Sequence, residues 1–182
     1  MAARGDKKLE AAKLWDYALR VLAGHAVSLA ELRDKLQRKA ASAADVQPVL
    51  ERLAEYGYLD DQRFAEHFAA LRKEDQRLGR ARVLSDLRKR RVHAVVAEQA
   101  VGETYAGTDE AQLAEEHLRR RYAPAGGALR LSGPKETASA YRRLRRAGFS
   151  HPVSVGALRR FSDADDLLEG LEEGPEDAAE PD

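Results

Sequence analysis

Apolar residues recur at intervals of three and four along most of the chain. Leu14, Ala18, Val21 and Leu22 fall on one side of a helix, and Trp15 and Leu19 widen that stripe. Phe64, Phe68 and Leu71 line one face of a second stretch. Val83 and Leu87 share a side with Leu84 in a third, and Ala140, Tyr141, Leu144 and Ala147 do so in a fourth. This spacing predicts amphipathic helices that bury one face each.

The helices come in a repeating order. Leu36, Leu87 and Leu144 are each accompanied by two or three basic residues, a sharp end and an apolar residue. A helical stretch precedes each anchor, over residues 9–23, 61–74 and 109–122. Another follows each, over residues 45–56, 93–101 and 151–161. The simplest organisation is three tandem three-helix repeats, at residues 1–58, 59–107 and 108–161. A unit of about 50 residues has little core of its own, so neighbours must share surface. An elongated, curved all-α array is expected, followed by an acidic tail over residues 162–182.

Punctuation agrees with that order. Ser28 and Glu31 have the spacing of a capping box, with Val27 and Leu32 at staple positions. Asp60 can cap the next helix, with Leu59 and Phe64 again at staple spacing. Pro48 sits in a first turn if Asp45 is the N-cap. Ser150 before Pro152 reads as another start, and Gly57 and Gly148 suit the residue after a helix. Pro124–Gly127 reads as a linker inside the third repeat.

Composition narrows the chemistry. There is no Cys, which removes disulfides, thiolate zinc sites and cysteine nucleophiles. Ala (33) and Leu (23) dominate the apolar residues, and Ile is absent. Ala, Leu, Arg and Glu favour helices. No apolar run is long enough to span a membrane, and the first ten residues lack a signal-peptide pattern. The five histidines (His25, His67, His93, His117, His151) hold no pair at metal-ligand spacing, and Gly126-Gly127 is not followed by a phosphate-binding Lys-Ser/Thr. No catalytic residue, metal or cofactor is expected, and the chain reads as a cytoplasmic monomer that is not an enzyme.

Charge carries more information than its sum. Thirty-one basic and 31 acidic side chains cancel. Yet residues 1–160 hold all 31 basic and 21 acidic groups, a balance of +10, and ten acids follow from Asp163 to Asp182. A basic body suggests a polyanion, or a partner already bound to one. The tail is expected to be disordered beyond about Glu172. It either keeps the protein soluble or folds back on the basic faces. The candidate contact residues are Arg38, Arg82, Arg88, Lys89, Arg90, Arg91, Arg119, Arg120, Arg121, Arg142, Arg145 and Arg146. Glu31 and Asp34 balance the basic residues of the second helix. Residues 88–91 have only Asp86, and 142–146 only Glu136, on their own helices. Unpaired arginines on exposed helix faces point to an anionic partner. No aromatic residues interleave with them, so base stacking is not indicated.

Specific segments resemble the RecX regulatory family. Residues 17–23 (Tyr-Ala-Leu-Arg-Val-Leu-Ala), 28–33 and Leu36 are similar to its opening. Gly57-Tyr58-Leu59-Asp60-Asp61-Gln62-Arg63-Phe64-Ala65 resembles its most distinctive motif. Gly79, Val83 and Leu87 resemble its second repeat, and Leu144, Gly148, Phe149, Val153 and Leu158 its third. The resemblance spans residues 12–161. It implies a modulator of the RecA recombinase that binds RecA filaments on single-stranded or duplex DNA. It further implies inhibition of strand exchange, ATP hydrolysis and co-protease activity, hence a role in recombination and the DNA-damage response. A helical-repeat protein that binds DNA without a RecA role is the alternative. Tyr58, Leu59, Asp60, Asp61 and Phe64 read first as structure, with Tyr58 packed between repeats. Where a Gly is usual in the family, Ala40 and Arg91 stand in the first two repeats and Gly148 in the third. If those turns need a positive φ, the first two must differ in geometry.

Overall fold

A computed structural model describes residues 8–123, 127–164 and 168–170. Its helices are α1 (Ala11–Gly24), α2 (Leu29–Lys39), α3 (Val46–Glu55), α4 (Asp61–Gln76), α5 (Arg80–Lys89), α6 (Ala94–Thr104), α7 (Glu110–Tyr122), α8 (Gly133–Arg146) and α9 (His151–Arg159). Among the described residues there is no strand, only two isolated bridges, Leu9 with Ala40 and Leu131 with Ser162. The protein is an all-α array of three-helix repeats. Among the described residues, no helix is long and apolar enough to cross a membrane.

The predicted helices form because their stripes have partners. In α1, Leu14 and Ala18 are fully buried and Trp15, Leu19, Val21 and Leu22 are half-buried around them. They meet Leu32 and Leu36 of α2 and Val49, Leu50 and Leu53 of α3 in one apolar cluster. Each buried leucine contributes about 2 kcal/mol relative to exposure. Ser28 and Glu31 form the capping box: the Glu31 N–H donates to Ser28 Oγ at 3.1 Å, and the Ser28 N–H to Glu31 Oε2 at 3.0 Å. Ser150 caps α9, accepting the Val153 N–H.

Some local expectations change. Asp45 makes no side-chain cap; Ser42 caps a single 3-10 turn over Ala43–Asp45, which leads into α3. Pro48 still sits in the first turn of α3. On α4 the fully buried positions are Ala65 and Ala69, whereas Phe64 and Phe68 are half-buried and Leu71 is exposed. Of the linker expected over 124–127 only Gly127 is described, and of the tail expected over 162–182 only residues 162–164 and 168–170; there Ser162, Ala164 and Leu168 are buried and Asp163 pairs with Arg130, so the packed chain runs past residue 162.

The family's glycine position separates three turns. Gly148 takes φ +88 and Arg91 takes φ +57, so an arginine adopts the left-handed conformation. Ala40 instead stays extended, at φ −63 and ψ 141. Its strand-like backbone is held by Leu9, whose N–H donates to the Lys39 carbonyl and whose carbonyl accepts the Ala41 N–H, both at 2.8 Å.

Contacts group the chain into two compact units. Unit 1 combines Met1–Phe68 with Asp86–Ala100, and unit 2 combines Ala69–Ser85 with Val101–Asp182. Unit 1 is built on the α1–α3 cluster. In unit 2, Leu118 of α7, Leu144 of α8 and Leu158 of α9 are fully buried, with Phe149 in the α8–α9 turn at 1% exposure. Thr137 of α8 is buried and its hydroxyl lies 2.6 Å from Ser162 Oγ, so neither polar group is orphaned.

His117 gives unit 2 a pH dependence. Its ring is half-buried edge-to-face against Phe149, with centroids 6.0 Å apart, and Nδ1 lies 3.2 Å from the Gln76 carbonyl. Burial, with the nearby Arg143 and Arg120 charges, pushes the imidazole pKa below its ordinary value. The folded state therefore keeps the neutral ring, while the unfolded chain takes up a proton near pH ~6.5. Stability should fall as pH drops from that value through the depressed folded pKa, then level off. Urea midpoints at pH 7.5 and pH 5.5 measure the loss. His117→Gln should lose less over the same interval; an equal loss would assign the effect to other groups.

Candidate basic interface

The basic residues divide by the company they keep. In unit 1, Arg90 is locked in place. Its Nε and Nη2 donate to the two Glu31 carboxylate oxygens at 2.8 and 2.7 Å, and Nη2 also reaches the Ala26 carbonyl at 3.0 Å. Its guanidinium lies 4.6 Å from the centroid of Phe64 and 5.5 Å from that of Phe68. The Ser28 hydroxyl donates to the Arg90 carbonyl at 2.7 Å. Burial alone would raise the Glu31 carboxyl, but the Arg90 and Ser28 hydrogen bonds hold it below its ordinary value.

Arg91 pairs with Asp34, and that bond holds the Asp34 carboxyl below its usual range. Arg88 lies 3.6 Å from Glu98, and Lys89 lies 4.0 Å from Asp86. The run 88–91 thus has Glu31, Asp34 and Glu98 to balance it, beyond the Asp86 visible on its own helix. Arg38 is exposed and helps line a groove of about 530 Å³ with Glu31, Asp34, Lys35 and Arg91.

The motif residues also resolve. Asp60 caps α4, accepting the Gln62 and Arg63 N–H groups at 2.9 and 3.0 Å. Asp61 accepts the Leu29 N–H at 2.7 Å, tying the start of α4 to the start of α2. Burial raises the Asp61 carboxyl above its ordinary value. Leu59 is buried, and Phe64 lies under Arg90. Tyr58 is not packed between repeats: it is 57% exposed.

Unit 2 presents basic side chains differently. Arg142 and Arg146 are one turn apart on α8, exposed, and without an ion pair to any described residue. Lys135, seven positions before Arg142, is exposed on the same stripe. Their helix keeps Glu136 occupied, since its carboxylate accepts the Ser132 N–H at 2.6 Å. Arg82 at the start of α5 is exposed and donates to the Arg146 carbonyl at 3.3 Å, so it stands beside the end of this stripe. Arg145 turns the other way: it is half-buried and donates to the Phe149 carbonyl at 2.9 Å.

A second cluster surrounds Glu115 of α7, which is 4% exposed. Its carboxylate accepts Arg119 Nη2 at 2.9 Å and also pairs with Arg160. Arg119 stacks 5.2 Å from the Phe161 ring, Arg121 lies 6.0 Å from Tyr122, and Arg120 is exposed. Two basic residues, Lys135 and Arg160, were missing from the candidates drawn from the sequence. The seven-residue spacing from Arg142 could have found Lys135; Arg160 joins only through the fold. Among the described residues, no group of His and carboxylate side chains could hold a metal ion.

Comparison with known proteins bears on this arrangement. The model described as "RecX, first three-helix domain" matches residues 15–53, and "RecX, second three-helix domain" matches 60–101. Regulatory protein RecX of Trichlorobacter lovleyi is 39% identical over 106 residues, covering 58% of this chain and 69% of that protein. Regulatory protein RecX of Deinococcus radiodurans is 35% identical over 149 residues, covering 81% and 67%. The crystal structure of RecX from Lactobacillus salivarius superposes with a TM-score of 0.63 at 18% identity, covering 89% of this chain and 96% of that one. That likeness speaks for the fold. With a family model on each of the first two repeats and relatives matched over most of their length, the chain belongs to the RecX family of regulatory proteins.

Proposed function

We propose that the protein binds RecA–DNA filaments and lowers their ATPase, strand-exchange and co-protease activities, acting by binding and not by catalysis. The observation that carries the reading is the Lys135–Arg142–Arg146 line on α8, exposed and without an ion pair to a described residue, in a member of a regulatory family. Guanidinium groups so presented meet phosphates at low desolvation cost. Arg82 and Arg120 extend the same role, whereas Arg90 and Arg145 act mainly inside the fold and Arg91 is exposed but paired with Asp34.

The test is a titration of the protein into RecA on single-stranded DNA, followed by ATP hydrolysis. Wild-type protein should inhibit. Arg142→Ala/Arg146→Ala should need a higher concentration for the same effect. Its DNA affinity without RecA should depend less on salt, the log–log slope dropping by about 0.7 for each single-strand phosphate that is no longer neutralised. DNA binding with no effect on RecA at excess protein would leave the chain a plain DNA-binding protein and overturn the reading.

A further inference from the structure

Unit 1 carries an aromatic ridge that the basic surface does not explain. Trp15 of α1 meets Tyr56, just past α3, edge-to-face with centroids 5.9 Å apart. Tyr56 in turn stands 6.3 Å from Tyr58. Arg52, one turn before Tyr56, holds its guanidinium 4.5 Å from the Trp15 ring centroid and 5.5 Å from that of Tyr56. Tyr56 is 60% exposed and Tyr58 is 57% exposed. Large rings are usually covered, and a row of them left in water marks a contact surface.

The ground beside the ridge is concave and acidic. A hollow of about 520 Å³ is lined by Trp15, Asp16, Asp45 and Arg52 among others. A second, of about 780 Å³, is lined by Tyr58, Asp60, Arg63 and Glu66 over an apolar floor that includes Leu22 and Phe64. These walls hold four carboxylates against two arginines, and Arg52 is already stacked on the ridge. Glu51 and Glu55 stand exposed on either side of Arg52 along α3. Phosphates would be repelled here, so the rings are not a base-stacking platform. The acidic tail of this chain is repelled for the same reason. Tryptophan, tyrosine and arginine are the residues that dominate protein–protein binding energy.

We propose that the Trp15–Tyr56–Tyr58 ridge is a protein-docking face. Its occupant is a polypeptide surface that offers an apolar anchor flanked by lysine or arginine. The inference rests on the function proposed above, under which a RecA protomer in the filament supplies that surface. Labour then divides between the units: the α8 arginines of unit 2 meet DNA, and the aromatic ridge of unit 1 meets protein. Cation–π contacts and the wall carboxylates would select a cationic partner.

Tyr56→Ser/Tyr58→Ser tests this, because both rings are exposed and the fold should survive, as circular dichroism and the melting midpoint would verify. A second variant, Asp16→Lys/Glu55→Lys, reverses the charge and leaves the rings in place. The tyrosine variant should bind DNA without RecA as wild type does, with the same salt slope, and the charge-reversed variant should bind it no more weakly than wild type. Both should need about tenfold more protein to inhibit the RecA ATPase. Wild-type inhibition by both variants, with inhibition weakened in Arg142→Ala/Arg146→Ala, would overturn the ridge and leave the function standing. No inhibition by wild type would bring down the function and the ridge with it. Weaker DNA binding by the tyrosine variant would make the ridge a nucleic-acid platform and overturn the proposal. So would a wild-type dimer in sedimentation that the variant dissociates, since the occupant would then be a second copy of this chain.

Discussion

Gly148→Ala should unfold unit 2 at urea concentrations that wild type withstands. Gly148 has φ +88, and a Cβ added there would lie 2.3 Å from the Arg82 backbone nitrogen and 2.5 Å from the Arg82 Cβ. The neighbour is backbone and cannot swing aside. Gly79 shares the constraint: its Cβ would lie 2.4 Å from the Gly148 carbonyl oxygen, and its N–H donates to the Ala147 carbonyl at 2.8 Å. A left-handed φ costs an alanine about 1–2 kcal/mol. Overpacking adds about 1–3 kcal/mol. Together they imply a loss of about 3 kcal/mol for Gly148→Ala, and a similar size for Gly79→Ala from the clash. Gly57→Ala is the control. Gly57 also has positive φ, at +69, but open space around it, so about 1 kcal/mol is expected. Equal midpoint losses at Gly57 and Gly148 would mean that the close approach carries no energy.

Arg90→Ala should cost about 2–3 kcal/mol of stability, a large effect for a residue in a basic run. The substitution removes a bidentate pair, a carbonyl contact and a cation stacked on Phe64. It also leaves the half-buried Glu31 with only the Ser28 N–H. The side chains of Arg90 and Glu31 are 27% and 26% exposed, so water screens the pair only in part. Arg90→Lys should restore less than half, since an ammonium cannot offer the planar fork. The acid limb provides an independent reading. Glu31 has a lowered folded pKa, so its contribution is present above the unfolded value and is lost as pH falls through the folded one. Without Arg90, burial dominates, and that acid-dependent loss should shrink. An unchanged midpoint in urea and an unchanged acid limb would show that the pair contributes nothing net.

Local signals read well because their partners are close in sequence. The Ser28–Glu31 box, the Asp60 and Ser150 caps and the positive φ of Gly57 and Gly148 all depend on neighbours within a few residues. The stripe of α1 was legible for the same reason. Arg90 was not, because its carboxylate lies 59 residues away and a single-helix charge count cannot see it. Arg142 and Arg146 stayed without ion pairs among the described residues, while the similar-looking Arg145 turned inward to a carbonyl one turn on. Tyr58 was misjudged from its motif, since a tyrosine beside a cap is as able to face water as a neighbour. The ridge it forms needs Trp15, more than 40 positions earlier, and no spacing rule links the two. Arg91 and Ala40 show the same limit for backbone: one position takes the left-handed turn without glycine, and the other avoids it by pairing with Leu9.

Two helices serve both compact units. The first half of α4 and the last turn of α5 belong to unit 1, and the rest of each belongs to unit 2. Ala65 and Leu87 are buried in one, and Ala69 and Val83, a single turn away, in the other. The sequence is therefore modular while its packing is interleaved. Any contiguous stretch holding all of unit 1 must carry residues 69–85 as well, with their own buried faces stripped of partners. A truncation after residue 58 or after residue 107 divides a compact unit. The smallest heritable part of this chain is larger than its repeat.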